Sequence, residues 1–403
     1  MTARLHVVGA GLAGLACAAA ATRAGMPVVL HEAAGHAGGR CRSFPDETLG
    51  QVIDNGTHLL LGVNRTALAF ARHVGGIAAM TPYPARFPFL DVASGERWTL
   101  TAAGLAARPW ELLKACGLPY CPEGRTVAAS LGGAKSFRRV WEPLCVAALN
   151  TDPAEASARL FARLLRAALM GGSQALRPWV FHAGLSDALV APAVARLAGG
   201  GAELRFRHRL LSAEADALVF EDGRVPLGPG DRAVLALPPW ALEGVMAGTP
   251  RFESRAIVNA HFRLERPAAL SGGLPFLGVT GGVAQWLARR GAVLSVTVSA
   301  ADRLATEPAE TVAATLWREV AAAIGQPGSA QPRCRVLKER RATVAHTPEA
   351  VRRRPPPHTP FAKILLAGDW LAGPWPCTIE AAIVSGLAAA RLAVGQPDLA
   401  FLS

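Results

Sequence analysis

Lysine is nearly missing from this chain of 403 residues, although its formal net charge is +12. It stands only at Lys114, Lys135, Lys338 and Lys363, so arginine carries almost all the positive charge. Tyrosine is confined to Tyr83 and Tyr120. A site that cages an amine between tyrosine rings therefore has little to draw on. Hydrophobic residues make up 51% and the mean hydropathy is +0.25. Even so, no apolar run reaches the roughly eighteen residues of a membrane-crossing helix. The apolar excess is expected to line an interior surface or to rest on a bilayer.

The seven cysteines, Cys17, Cys41, Cys116, Cys121, Cys145, Cys334 and Cys377, include no C-x-x-C pair. That argues against a zinc site or a dithiol motif, and for reduced thiols. No metal is expected. No basic helix or aromatic-basic module appears, so nucleic acid is not an expected partner. The opening residues run straight into a folded motif and do not read as a secretory leader. The chain is read as cytoplasmic. Arg352, Arg353 and Arg354, ahead of three prolines, suggest peripheral contact with the anionic inner face of the cell membrane. The plain alternative is an arginine- and alanine-rich composition.

The most informative stretch is "RLHVVGAGLAGLACAAAATRAGMPVVLHEA". Leu5 to Val8 reads as a buried strand, followed at once by Gly9-x-Gly11-x-x-Gly14. An alanine-rich helix then runs to Arg23, and a second strand, Val28 to His31, delivers Glu32. Gly9 allows the tight turn, Gly11 lets backbone approach a pyrophosphate, and Gly14 lets the helix pack on the strand. Glu32 is placed to accept from a ribose diol. The fingerprint is followed by Gly38-Gly39-Arg40, which would offer amides and a guanidinium to a second phosphate. "VIDNGTH" then puts Asp54, Asn55, Gly56 and His58 on a tight turn expected to enter a helix. These features resemble the flavin-containing amine oxidase and polyene desaturase superfamily, and the resemblance implies FAD extended along the first domain.

Further along, Ala233 to Leu237 reads as a buried strand, which the resemblance assigns to a side sheet of the FAD domain. Gly199-Gly200-Gly201 follows a helix and reads as a cap and turn. No second dinucleotide fingerprint is present. Residues 76–180 are helical, with an amphipathic helix opening near Thr151 or Asp152. Residues 241–335 alternate as strands around a helix from Pro308 to Ile324. The fold expected is α/β: a Rossmann-like FAD-binding domain assembled from three segments, 1–75, 181–240 and 336–403. An inserted α+β substrate domain comes from 76–180 and 241–335.

The C-terminal "KILLAGDWLAGPWPCTIEAAIVSG" reads as a strand from Ile364, the pair Gly368-Asp369, a turn, and a helix capped by Thr378 with Glu380 in its first turn. Such a helix start would set amides against the flavin ring, and Asp369 would accept from a ribityl hydroxyl. Together with "WEPLCVAALNT" and "KERRAT", this stretch resembles the hydroxysqualene dehydroxylases of hopanoid synthesis, also called squalene-associated FAD-dependent desaturases. The family often has an aromatic at Leu12 and a glycine at Ala381. The resemblance implies FAD contacts at Gly9, Gly11, Leu12, Ala13, Gly14, Glu32, Ala33, Gly39, Arg40, Gly56, Thr57, His58, Leu210, Gly368, Asp369, Thr378 and Ile379.

It also implies that the hydroxyl of a C30 isoprenoid, hydroxysqualene, is removed by hydride from reduced FAD. The electron donor would be external and is not identified by the sequence. His58 and Glu142 are the candidate proton donors. Three alternatives stay open: a polyene desaturase, an amine oxidase, and a non-catalytic prenyl-lipid carrier on the same fold.

Overall fold

The computed structural model describes residues 3–117 and 120–396. Its organising element is a five-stranded parallel sheet in the order Glu203–Phe206, Val28–Glu32, Leu5–Val8, Arg232–Leu235 and Ile364–Leu366. The central strands are short apolar runs buried on both faces, as parallel strands covered by helices require. Arg232–Leu235 lies between Leu5–Val8 and Ile364–Leu366. The expectation that this strand belongs to a side sheet is therefore corrected. The side sheet is the antiparallel trio Leu210–Glu214, Ala217–Phe220 and Gly223–Pro226.

Two helices cover one face of the parallel sheet and meet along small residues. In helix Leu12–Arg23, a Cβ on Gly14 would fall 1.8 Å from the Gly9 carbonyl oxygen. In helix Ile379–Val394, a Cβ on Gly386 would fall 2.1 Å from the Ala13 carbonyl oxygen. Only glycine permits either approach. The two ends of the chain are thus joined backbone to backbone.

A second, seven-stranded sheet runs Cys334–Val344, Ser254–Arg263, Val293–Val298, Trp286–Arg290, Phe276–Thr280, Arg86–Asp91 and Arg97–Thr101. Helix Ala309–Ala323 packs Leu316, Trp317 and Val320 on it. The expected boundary at 336 falls inside the Cys334–Val344 strand. That strand pairs with Ser254–Arg263 over almost its full length, so the second sheet reaches to Val344.

The helical part of the insert also departs from expectation. Helix Glu142–Leu149 ends at Asn150, which adopts a left-handed conformation with φ of 46°. Asn150 accepts from the Ala300 amide at 2.6 Å and donates to Thr343 Oγ1 at 3.0 Å. The next helix, Ala158–Met170, is capped by Ser157 instead of Thr151 or Asp152. Asparagine tolerates the left-handed turn, and its amide ties the break to the second sheet. The "VIDNGTH" turn likewise enters strand Leu59–Leu61, with helix Arg65–Val74 only after it.

A Gly386→Ala substitution is expected to cost ~1–3 kcal/mol by overpacking the helix pair. It would be read as a lower urea midpoint with an unchanged slope. A midpoint equal to wild type would show that the helices can separate freely.

Candidate functional site

The Gly9 turn has φ of +103°, and a Cβ there would meet the Ala236 carbonyl oxygen at 2.6 Å. At Gly11 a Cβ would meet nothing within 4 Å, so the outer surface of the turn is open. Gly11 also caps helix Leu12–Arg23, which has no side-chain cap and no acid in its first turn. The amides around Leu12, Ala13 and Gly14 therefore lack the side-chain acceptor that other helices of this chain possess. Thr101, Thr126, Ser157 and Thr378 each cap theirs. The Gly38-Gly39 turn packs directly on this open end. The Gly38 amide donates to the Ala10 carbonyl at 2.8 Å, and Gly39 sits against Gly11. An extended anionic group fits such a cradle.

Beside it, Gly9, Glu32, Ala33 and Leu210 border a cavity of about 310 Å³ together with His208 and Leu237. The Glu32 carboxylate accepts from the Ala10 amide at 2.7 Å and the Ala34 amide at 2.8 Å. It therefore locks the glycine turn and still has lone pairs for a diol. Behind this wall lies a chain of buried imidazoles that the sequence reading missed. His6 Nδ1 is 3.1 Å from His31 Nε2, and His31 Nδ1 is 2.9 Å from His208 Nδ1. His208 Nε2 reaches Asp222 at 2.8 Å. Strand alternation places His6 and His31 on one face, and His208 reaches them from the loop after strand Glu203–Phe206, but no local motif signals it.

At the other end, Arg40 Nη2 lies 2.8 Å from Asp369 Oδ1, and Arg40 Nη1 donates to the Ala342 carbonyl. Burial opposes the Arg40 charge, but Asp369 outweighs it and the guanidinium pKa is raised. The pair was not foreseen: Arg40 was expected on a phosphate and Asp369 on a hydroxyl. In the structure they are also each other's partner, the half-exposed Arg40 guanidinium supplying the counter-charge to the buried Asp369 carboxylate. Gly368 precedes Asp369, and its amide donates to Ser385 Oγ at 3.0 Å.

Thr378 caps helix Ile379–Val394 by accepting from the Ala381 amide. Glu380 does more than complement that helix. Its buried carboxylate accepts from the Thr66 and Ala67 amides at 3.1 and 2.8 Å, capping helix Arg65–Val74 as well. Burial pushes its pKa up against the opposing pull of those amides.

The turn before Thr378 is held by two residues to which sequence reasoning gave no such role. His346, fully buried, donates from Nδ1 to the Leu149 carbonyl and accepts the Cys377 amide on Nε2 at 2.9 Å. It thereby links the helical insert to the C-terminal turn. Arg354 was expected at a lipid surface, yet it is 6% exposed. Its Nη1 donates to the Trp375 carbonyl at 2.8 Å, Nη2 lies 3.9 Å from Cys377 Sγ, and Nε has no partner. No carboxylate pairs with it among the described residues. A buried cation without a counter-charge makes this end of the site electropositive.

The candidate acids are not tied to this group by hydrogen bonds. His58 is exposed and its Nδ1 is engaged by the Gly56 carbonyl at 2.8 Å. The Gly56–His58 turn is anchored through the Thr57 amide to Asn259 Oδ1 of the second sheet. Glu142 is half-buried at the start of its helix, and burial raises its pKa.

The flavin containing amine oxidoreductase family matches residues 123–394, and an NAD(P)-binding Rossmann-like domain matches 7–74. A hydroxysqualene dehydroxylase of Sinorhizobium fredii is 39% identical over 99% of this chain and 100% of its own length. That of Rhodopseudomonas palustris is 40% identical over 97% and 98%. This chain belongs to the hydroxysqualene dehydroxylase family. Among solved structures, cyclohexylamine oxidase from Brevibacterium oxydans superimposes with a TM-score of 0.74 over 98% of this chain and 99% of its own. A redesigned putrescine oxidase gives 0.71 over 97% and 98%. Both are 16% identical and establish the fold alone. Membership makes this dehydroxylase-family chain an FAD-dependent oxidoreductase.

His31 and His346 have pKa values lowered by burial to about 3, and His261 to about 4. Unfolding releases these imidazoles to an ordinary value near 6.5. The unfolded chain thus takes up protons that the folded one refuses as pH falls below that value. Stability should be at its plateau above about pH 6.5 and fall progressively toward pH 4. His346→Gln should reduce that acid-side slope by up to one proton, about 1.4 kcal/mol per pH unit. Urea unfolding across this range is the measurement; an unchanged slope would contradict a neutral buried His346.

Proposed function

We propose that this enzyme removes the hydroxyl of hydroxysqualene to give squalene. The Arg40–Asp369 pair carries the reading: it joins the glycine-turn end of the chain to the C-terminal helix start in one continuous site. The kinship to two enzymes named for that reaction supplies the substrate. In this reading Gly9, Glu32, Ala33 and Leu210 hold the adenosine end of FAD. Gly11 to Gly14 and Gly39 hold the pyrophosphate. Arg40, Gly368, Asp369, Thr378 and Ile379 face the ribityl and ring end, with Gly56, Thr57 and His58 across from them. Bound and reduced, FAD supplies a hydride.

The protein's own contributions are positional and electrostatic. The Arg40–Asp369 pair is net neutral and fixes position, while the Thr378-capped helix start and buried Arg354 supply a positive environment suited to an anionic reduced ring. His346 holds the Cys377 turn in place without adding charge, because burial keeps it neutral. Glu142 is the favoured proton donor to the departing hydroxyl. Its carboxyl is raised by burial, as an acid working near neutral pH needs, whereas His58 is exposed. Protonation lets the allylic C–O bond break with water as leaving group, and exclusion of solvent keeps water from recapturing the carbon.

Among the described residues no helix is long and apolar enough to cross a membrane. A C30 substrate nevertheless partitions into lipid, so the enzyme is proposed to work as a cytoplasmic protein resting on the inner membrane face. The electron donor is a separate molecule in this scheme.

Pre-reduced protein mixed anaerobically with hydroxysqualene should yield squalene and oxidised flavin in one turnover. Glu142→Gln should slow that step on the order of a hundredfold with flavin content unchanged. Unchanged hydroxysqualene, or conjugated triene formed from squalene with an electron acceptor, would overturn the reading.

A further inference from the structure

The exposed apolar side chains of this protein are not scattered evenly. Trp110 is 78% exposed, Tyr120 77% and Met170 87%, the three highest values among the large hydrophobic residues described. Leu113, at 41%, shares a helix face with Trp110, three residues before it on helix Pro109–Ala115. Met170 ends helix Ala158–Met170, and the spacing of Arg159, Arg163, Arg166 and Met170 puts all four along one face of it. The two helices pack together: a Cβ on Gly117, just past the first, would lie 3.1 Å from Ala162 Cβ in the second. Cys116 and Cys121, which bracket Tyr120, both feel the Arg166 charge. The aromatic and cationic side chains therefore belong to one region of the helical insert.

The charge there is unbalanced. Arg159 pairs with Glu123, but Arg163 and Arg166 have no carboxylate in ion-pair range among the described residues. Burial and the neighbouring charges of Arg159 and Arg166 depress the Arg163 pKa, the mark of cations crowded together without a counter-ion. Lys114 is exposed on the first helix. A folded protein tolerates such crowding best where an external anion relieves it.

We propose that the face formed by Trp110, Leu113, Tyr120, Arg163, Arg166 and Met170 docks this protein on an anionic lipid bilayer. Indole and phenol rings lodge at the headgroup level, the Leu113 and Met170 side chains enter the acyl boundary, and the arginines meet lipid phosphates. Of the Arg352–Arg354 run, Arg354 is buried and Arg353 pairs with Glu349 and the Arg251 carbonyl, which leaves Arg352 as its unengaged exposed cation among the described residues. The inference rests on the isoprenoid reading for its purpose, yet lipid binding itself needs no substrate.

The test is co-sedimentation of the flavin-loaded protein with vesicles of phosphatidylcholine, with or without phosphatidylglycerol. Wild type should sediment with the anionic vesicles and be released by salt. Arg163→Gln/Arg166→Gln and Trp110→Ser/Met170→Ser should each lower the partition coefficient by roughly tenfold or more. Circular dichroism and flavin content should stay unchanged, as should turnover of detergent-dispersed hydroxysqualene. Wild type left in the supernatant, binding undiminished in both variants, or a self-associated protein with this face covered would each overturn the proposal. Vesicle binding in a protein that leaves hydroxysqualene unchanged would sink the substrate reading alone.

Discussion

Everything in this fold depends on how closely helix Ile379–Val394 can approach helix Leu12–Arg23. Gly386 lets the C-terminal helix rest on the Ala13 carbonyl, and Gly14 lets the N-terminal helix rest on the Gly9 turn. Two successive approaches without intervening side chains bring residues more than three hundred positions apart into one layer. Strand Ile364–Leu366 then completes the parallel sheet that Leu5–Val8 begins. Once those elements are in place, Gly368-Asp369 stands at the same edge as Gly38-Gly39-Arg40.

That geometry explains why the charged groups arrange themselves as they do. Asp369 would be costly to bury alone, so closure of the sheet and formation of its ion pair with Arg40 support one another. Glu380 has the same logic in backbone terms. It caps helix Arg65–Val74 from the first turn of helix Ile379–Val394, whose own cap is Thr378. His346 ties the same region to the Glu142–Leu149 helix, and Asn150 ties that helix's end to the second sheet. The "WEPLCVAALNT" and "KERRAT" stretches thus meet as a joint between insert and site. A local rearrangement in the insert would be felt at the Cys377 turn through two hydrogen bonds to one imidazole.

The two ends of the site differ in charge. Among the described residues Arg354 at the ring end has no carboxylate partner, whereas the Glu32 carboxylate at the adenosine end accepts from two amides and keeps lone pairs for a diol. Behind Glu32, burial lowers the pKa of His6 and His31, so these two imidazoles bring packing and orientation without charge. Among the described residues, Arg354 near Cys377 and Arg163 and Arg166 on the helical insert are cations with no carboxylate in ion-pair range.

Local chemistry alone determined the glycine turn, the Glu32 acid, the Thr378 cap and the helix from Pro308 to Ile324, because each depends on neighbours within a few residues. It also pointed to the superfamily through Gly9 to Arg40, and to the family through "WEPLCVAALNT", "KERRAT" and the C-terminal Gly-Asp turn, all contiguous motifs. Tertiary structure alone decided the Arg40–Asp369 pairing, the capping of helix Arg65–Val74 by Glu380, the burial of Arg354 and the role of His346. It also decided that strand Arg232–Leu235 is central and that the second sheet extends to Val344. These depend on which distant backbone comes alongside, and a parallel sheet built from three separated segments leaves no short-range trace of its strand order. The sequence could say which residues suit a cofactor; only the packed chain could say which of them answer to each other.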